Sequence, residues 1–169
     1  MVEVSDRLAA AVLDTASSKL ELRVPLAWEE RAISLRAQGL IHNSHGLPVR
    51  LGLQISKDKP WKVTVYLLIY GVTLRRLDVN GSHRNRTDGH RWTFQTHKHT
   101  YSDAHADAVA YTPTDIPSVS FENVGADDYR AVLEAFCEEC GIALGSGYHW
   151  NPPETMRQYG STVGPGGAP

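Results

Sequence analysis

Apolar and polar residues alternate over positions 49–79, and this pattern limits how the chain can fold more than any other feature. Apolar residues recur at every second position from Val49 to Ile55, which is the spacing of side chains on one face of a strand. Residues 61–79 are rich in β-branched and aromatic side chains, but the run is too long for one strand, so we expect a bend at Gly71. Strands that follow one another without intervening helices predict an antiparallel sheet.

Two segments with helical spacing flank these strands. Residues 5–20 and 127–140 both place apolar side chains three and four positions apart, and Gly141 follows the second segment where a left-handed residue ends many helices. We therefore expect a single α+β domain over residues 1–150, with an antiparallel β-sheet and an N-terminal and a C-terminal helix packed on one of its faces. The Pro- and Gly-rich residues 151–169 have little apolar surface, which predicts a disordered tail.

Composition excludes several broad classes of protein. The sequence has no apolar run of membrane-spanning length, and its first residues lack the basic and then apolar order of a secretory signal. The two cysteines, Cys137 and Cys140, share one face of the second predicted helix, so we expect core thiols, with half of a metal or redox site as the alternative. A cytoplasmic protein without a membrane partner is the resulting prediction.

Positive charge is concentrated in one part of the chain. The net charge is −2, but residues 71–99 hold six Arg or Lys against two Asp, a local charge of +4. The rest of the chain holds 11 basic and 17 acidic residues, a charge of −6. A basic patch on an acidic body is typical of a site for phosphate or another anion.

The segment 90–101, HRWTFQTHKHTY, lies inside this basic region and contains three histidines. In an extended strand, alternation would place His97 and His99 together on a polar, solvent-facing side. The same alternation would place Trp92, Phe94 and Lys98 on the other side, where the large aromatic rings would face the core. On this argument the two central histidines are not core residues.

Three roles for His97 and His99 remain open from the residues alone. Two imidazoles could act as general acid and base in cleaving a phosphodiester, with nearby arginines holding the phosphate. His-x-His on a strand is also a metal-ligand pattern, which Asp78, His83 or His90 could complete. The third role is a solvated strand with ordinary hydrogen bonds. An antiparallel pairing would bring Asp78 near either histidine, where a carboxylate fixes the tautomer of the ring.

The acid–base hypothesis assigns two sets of residues. The catalytic set is His97, His99, Asp78 and His83. The substrate-binding set, which would hold phosphate, is Arg76, Arg84, Arg91, Lys98 and Tyr101. This hypothesis requires no metal ion and no cofactor.

The order of these residues resembles that of a known group of proteins. Two motifs, RLD..G.H.N..DG and H.H.Y, occur in a family of small uncharacterised prophage and bacterial proteins, and this sequence is similar to both. The first corresponds here to Arg76-Leu77-Asp78, Gly81, His83, Asn85 and Asp88-Gly89, and the second to His97-Lys98-His99 with Tyr101. A shorter stretch, residues 66–100, has a weaker likeness to TumE-type toxins of toxin–antitoxin pairs. The first resemblance implies no activity, and the second implies a toxin directed at RNA or another nucleic acid.

The leading prediction is therefore a histidine-dependent, metal-independent ribonuclease, which could be phage-encoded or the toxin of a toxin–antitoxin pair. Its partners would be RNA or another nucleic acid and a neutralising antitoxin-like protein. One alternative is a non-catalytic phage or prophage protein that binds a partner protein or nucleic acid through the basic hairpin. Another is a metal site made of the His and Asp side chains.

Overall fold

The computed structural model describes residues 3–154, and an antiparallel sheet forms its centre. The strands of this part of the chain are β1 (Glu21–Leu22), β2 (Ala27–Glu30), β3 (Ser34–Ile41), β4 (Val49–Ser56), β5 (Val63–Ile69), β6 (Val72–Arg84), β7 (Arg91–Thr100), β8 (Ala110–Tyr111) and β9 (Ala143–Leu144). Strands β2 to β8 pair in chain order as one seven-stranded antiparallel sheet, and β1 pairs with β9 in parallel. The predicted α+β class with an antiparallel sheet is confirmed.

One face of the sheet forms the core. The side chains of Val49, Leu51, Leu53 and Ile55 are buried on this face, as their alternation predicts, and the odd-numbered residues of β5 are buried beside them. Burying each of these side chains contributes roughly 1.5–3 kcal/mol, so the two central strands anchor the fold. The expected bend is also confirmed, because Tyr70 and Gly71 form a two-residue turn with φ of 50° and 82° between β5 and β6.

The helices complete this core. They are α1 (Asp6–Leu13), α2 (Thr15–Ser18) and α3 (Ala126–Glu139). The helix predicted over residues 5–20 is interrupted, because the Asp14 carboxylate accepts a hydrogen bond from Ala16 N–H (3.2 Å) and starts a new helix. None of the described helices is long and apolar enough to cross a membrane.

Helix α3 begins and ends as its sequence predicts. The Asp128 carboxylate accepts a hydrogen bond from Gly125 N–H (2.8 Å) at its start, and Gly141 takes the left-handed conformation after its end, with a φ of 64°. Its inner stripe is buried against the sheet and consists of Tyr129, Val132, Leu133, Phe136 and Cys137.

The start of the predicted tail belongs to the folded domain. Trp28 Nε1 donates a hydrogen bond to the carbonyl oxygen of Asn151 (2.6 Å), and Pro153 is buried. Disorder predicted from residue 151 is therefore wrong for residues 151–154, whose contacts with β2 were not visible in the composition. Residues 155–169, the rest of the predicted tail, lie outside the described residues.

Both cysteines are free and buried, so the expectation of core thiols is confirmed. Burial raises the pKa of Cys137 to about 12 and raises the pKa of Cys140 well above its usual value. Because the thiolate is the reactive species, we expect both thiols to react with a disulfide reagent at pH 8 at least about 100-fold more slowly in the native protein than after denaturation. Equal native and denatured rates, followed by thiol absorbance, would contradict this burial.

Candidate functional site

The pairing of β6 with β7 builds a polar cluster on the face of the sheet opposite α3. Asp78 lies across from His97, and Arg76 lies across from His99, so the predicted approach of Asp78 to the histidines is confirmed. Between them, Leu77 lies across from Lys98, and both side chains are buried on the helix-packed face. The period of two therefore separates His97 and His99 from Lys98, as the sequence predicts for an extended strand.

Two irregularities bring His83 and Trp92 to the same cluster. Asn80 has a φ of 50° and Phe94 has a φ of 53°, and the register of β6 against β7 shifts between Asp78 and Gly81 and again before His83. Such bulges turn a strand and change the side to which its next residues point. Residues 80–84 are thus a bulged continuation of β6, and the loop to β7 is limited to residues 85–90.

Trp92 consequently lies on the histidine side and not in the helix-packed core, contrary to the predicted alternation. Its ring centroid is 5.5 Å from that of His97 and 5.9 Å from that of His83. Phe94, predicted to face the core as well, is 52% exposed. The sequence pattern fails here because the left-handed conformation of Phe94 breaks the period of two.

His97 and His99 are buried, with exposed fractions of 1% and 0%. Their predicted position on the side away from the helices is correct, but their predicted exposure to solvent is wrong. Trp92 and the segment at Asp107–Ala108 cover them, because His99 contacts the carbonyl oxygen of Asp107 and His83 contacts that of Ala108. This covering segment has no periodic pattern, so nothing in the sequence places it there.

Each of the three imidazoles in the cluster has one ring nitrogen held by a carbonyl oxygen. His97 Nδ1 donates to Gln95 O (2.9 Å), His99 Nδ1 donates to Asp107 O (2.8 Å), and His83 Nε2 donates to Ala108 O (3.0 Å). A carbonyl oxygen only accepts, so these nitrogens carry a hydrogen. In the neutral form of each ring the other nitrogen, Nε2 of His97 and His99 and Nδ1 of His83, has a lone pair.

A carboxylate lies beside the Nε2 atoms of His97 and His99. Asp78 Oδ2 lies 3.6 Å from His97 Nε2 and 3.4 Å from His99 Nε2, and Thr64 donates a hydrogen bond to Asp78 Oδ1 (2.7 Å). Burial by itself would raise the pKa of Asp78, but the contact with His99, the charge of Arg76 and the Thr64 hydroxyl outweigh burial and lower it to about 2.

The imidazole of His97 is neutral near pH 7. Burial lowers its pKa, although the Gln95 carbonyl and the charge of Asp78 act in the opposite direction. The neutral ring is the form that binds transition-metal ions.

The cluster has the size of a metal site. One ring nitrogen from each of His83, His97 and His99 lies within 4.8 Å of the others. Nitrogens bound at roughly 2.1 Å to a tetrahedral zinc ion are about 3.4 Å apart, so small side-chain rotations close the difference. The expectation that the site needs no metal stays a prediction. His90, the other candidate ligand, is exposed and lies outside the cluster.

Arg76 crosses the cluster but is already engaged by the protein. Its guanidinium contacts Asp78 Oδ2 (3.0 Å), Asp107 Oδ2 (2.6 Å) and His99 Nε2 (3.1 Å). A guanidinium that satisfies two carboxylates orients them, and it has little capacity left for a phosphate. The contact with Asp107, 31 residues away in the chain, could not be read from the sequence.

The other predicted substrate-binding residues do not join the cluster. Arg84 and Arg91 face each other at the exposed end of the hairpin and form no ion pair among residues 3–154. The Tyr101 hydroxyl donates a hydrogen bond to Val4 O (2.8 Å) and so fastens the N-terminal segment. The predicted site is corrected at these three positions. Residues that are close together in a basic segment of the sequence need not lie on the same surface of the fold.

Lys98 is the largest departure from the predicted substrate-binding set. Its side chain is 2% exposed on the helix-packed face, and its ammonium contacts both carboxylate oxygens of Asp115 (2.7 and 2.8 Å) and one of Glu139 (3.4 Å). Arg75 lies 3.9 Å from the same Glu139. Lys98 is thus a buried structural cation on the wrong side of the sheet for the histidine cluster.

A polar groove adjoins the cluster on the open face of the sheet. Its volume is about 430 Å³, and its lining includes Thr64, Asp78, Lys59 and Lys62. Of the four residues His83, His97, His99 and Asp78, only Asp78 lines it. Sequence reasoning missed this groove, because its lining comes from strands β3 to β6 and their turns. Asp78 is therefore the point where the buried cluster meets the groove.

Comparisons with family models, curated proteins and solved structures give no match for this chain. The resemblance to small prophage and bacterial proteins and to TumE-type toxins stays a prediction. The functional argument accordingly depends on the geometry of the histidine cluster and its surroundings.

Proposed function

We propose that the protein binds a divalent transition-metal ion, of which Zn²⁺ is the best fit, through His83, His97 and His99, with Asp78 as the neighbouring carboxylate. The observation that carries this proposal is that each imidazole has one nitrogen held by a carbonyl oxygen, which leaves its other nitrogen to bind a metal when the ring is neutral. Metal-binding histidines are typically oriented in this way by a second hydrogen bond. Imidazole and carboxylate donors suit zinc and its neighbours among the transition metals.

Burial favours a metal site over direct acid–base catalysis. A polynucleotide would have to reach His97 and His99 to exchange protons with them, yet both rings are covered. The predicted metal-independent ribonuclease, with its RNA and antitoxin-like partners, stays a prediction. The metal site is the alternative that the donor set supports better.

Binding of the ion would replace two existing contacts of Arg76. The Arg76 guanidinium now donates to His99 Nε2 (3.1 Å) and to Asp78 Oδ2 (3.0 Å), two of the atoms proposed to face the metal. Arg76 would keep Asp107 as a partner after releasing them. That a guanidinium already contacts these two atoms supports a site for a cation.

Titration calorimetry with Zn²⁺ tests the proposal on the full chain after removal of metal by EDTA. We expect close to one zinc ion per chain, and the same stoichiometry for the His90→Ala variant, because His90 is exposed and outside the cluster. Elemental analysis of protein purified without chelator provides a second measurement of the stoichiometry. A stoichiometry below about 0.1 in both measurements would contradict the proposal.

An RNA-cleavage assay in EDTA distinguishes the metal site from the metal-independent acid–base pair. The metal proposal predicts no cleavage of single-stranded RNA in EDTA. Cleavage that persists in EDTA and disappears in the His97→Asn variant would support the acid–base pair and overturn the metal proposal.

A further inference from the structure

An exposed aromatic cluster stands at the rim of the polar groove described above. The ring of Trp61 packs edge-on against Phe94, with centroids 5.7 Å apart, and against Phe121, with centroids 4.9 Å apart. Phe94 and Phe121 are both 52% exposed. We call Trp61, Phe94 and Phe121 the aromatic rim.

The aromatic rim is joined to the groove by two contacts. Lys59, which lines the groove, has its ammonium 6.0 Å from the centroid of the Trp61 ring. Ser82, which also lines the groove, accepts a hydrogen bond from Phe94 N–H (3.2 Å). These two contacts place the aromatic rim beside the groove.

The left-handed backbone conformation of Phe94 supports a binding role for the aromatic rim. A bulky residue with a φ of 53° is an outlier, because its side chain crowds the backbone in the left-handed region. Such strain is found preferentially at binding and catalytic sites. Here it turns the Phe94 ring out of the sheet and onto Trp61 beside the groove.

The groove lining carries two ammonium groups, of Lys59 and Lys62, and two carboxylates, of Asp58 and Asp78. Lys59 and Lys62 form no ion pair among the residues that the structure describes, whereas their neighbour Lys57 pairs with Glu30. Hydrogen-bond donors are added along the groove by Ser34 and Gln54, which also line it. Two ammonium groups with hydroxyl and amide donors suit a phosphate.

From these features we infer that the groove binds a nucleoside monophosphate, with the base against the aromatic rim and the phosphate between Lys59 and Lys62. Its volume of about 430 Å³ fits a ligand of this size and is small for a folded partner. Aromatic side chains bind any base through its flat face. The inference rests on the groove and goes beyond the metal proposal, which it does not require.

Titration calorimetry with AMP, adenosine and inorganic phosphate tests this inference. We expect AMP to bind at least about 10-fold more tightly than adenosine or phosphate, since only AMP fills both halves of the site. The Lys59→Ala/Lys62→Ala double variant should lose about 10-fold in AMP affinity and keep its adenosine affinity. The Lys57→Ala variant, which changes an adjacent lysine outside the groove, should bind AMP like the parent protein.

The Phe94→Gly variant separates binding from folding. Glycine adopts a φ of 53° without strain, so we expect an unchanged or higher melting temperature together with at least about 10-fold weaker binding of both AMP and adenosine. AMP that binds no more tightly than phosphate would overturn the inference. Single-stranded hexa-adenylate binding over 100-fold more tightly than AMP would also overturn it, in favour of a nucleic-acid surface.

The same titrations in EDTA and with one equivalent of Zn²⁺ keep the two proposals apart. AMP binding in EDTA by a chain that takes up no zinc would support the groove and overturn only the metal site. Zinc binding without AMP binding would overturn only the groove.

Discussion

Replacing His97 or His99 with asparagine is expected to lower zinc affinity by about 100-fold or more in either variant. The Nδ2 of asparagine can take the place of imidazole Nδ1, so each variant keeps its hydrogen bond to Gln95 O or Asp107 O. What each variant loses is Nε2, the proposed metal-binding atom. Loss of a group that only orients a ligand costs 10–100-fold in affinity, and loss of the ligand itself should cost no less. Competition with a zinc-binding dye measures the effect.

The control for these variants is their stability without metal. Because asparagine preserves the buried hydrogen bond, we expect the free energy of unfolding in EDTA to fall by no more than about 2 kcal/mol. A matched His90→Asn variant should keep both its zinc affinity and its stability. Unchanged zinc affinity in the His97 and His99 variants, with a large loss of stability in EDTA, would show that the histidines are structural.

The second large effect concerns the buried ammonium of Lys98. We expect the Asp115→Asn/Glu139→Gln double variant to lose roughly 3–5 kcal/mol of unfolding free energy, because it leaves a buried charge without a partner. Replacing Lys98 with methionine should cost only about 1 kcal/mol. The two carboxylates then remain where water can reach them, since their side chains are 48% and 21% exposed.

Urea denaturation in EDTA measures both variants without a contribution from bound metal. A Lys98→Met/Asp115→Asn/Glu139→Gln triple variant should recover most of the stability that the double variant loses, because no charge is left unpaired. Equal losses in the double variant and in Lys98→Met would mean that the ammonium is solvated, contrary to its burial.

The central strands and α3 could be predicted because their patterns are local. The alternation from Val49 to Ile55 and the helical stripe that begins at Tyr129 each specify which face is buried, and Gly71 and Gly141 mark the turns that end them. In these elements, local sequence and tertiary packing favour the same structure. The helix around Asp14 was predicted less well, because a single capping side chain decides where it breaks.

The site could be predicted only in part. The proximity of Asp78 to His97 follows from a hairpin with regular alternation, and this much was visible in the sequence. The position of Trp92 on the histidine side could not be predicted from the sequence. It depends on left-handed backbone at Asn80 and Phe94, and neither residue is a glycine that would mark such a conformation. Burial of the histidines was not visible either, since the covering segment is irregular.

The alternation of His97, Lys98 and His99 has a consequence for how the chain reaches its native pairing. If β7 slipped by one residue against β6, Lys98 would enter the cluster next to Arg76, and two imidazoles would enter the apolar interior under α3. The slipped pairing would then cost free energy on both faces of the sheet, through two adjacent cations on one face and two polar rings in the apolar core on the other. The triplet thus specifies one register of β7 against β6, whether or not a ligand is bound.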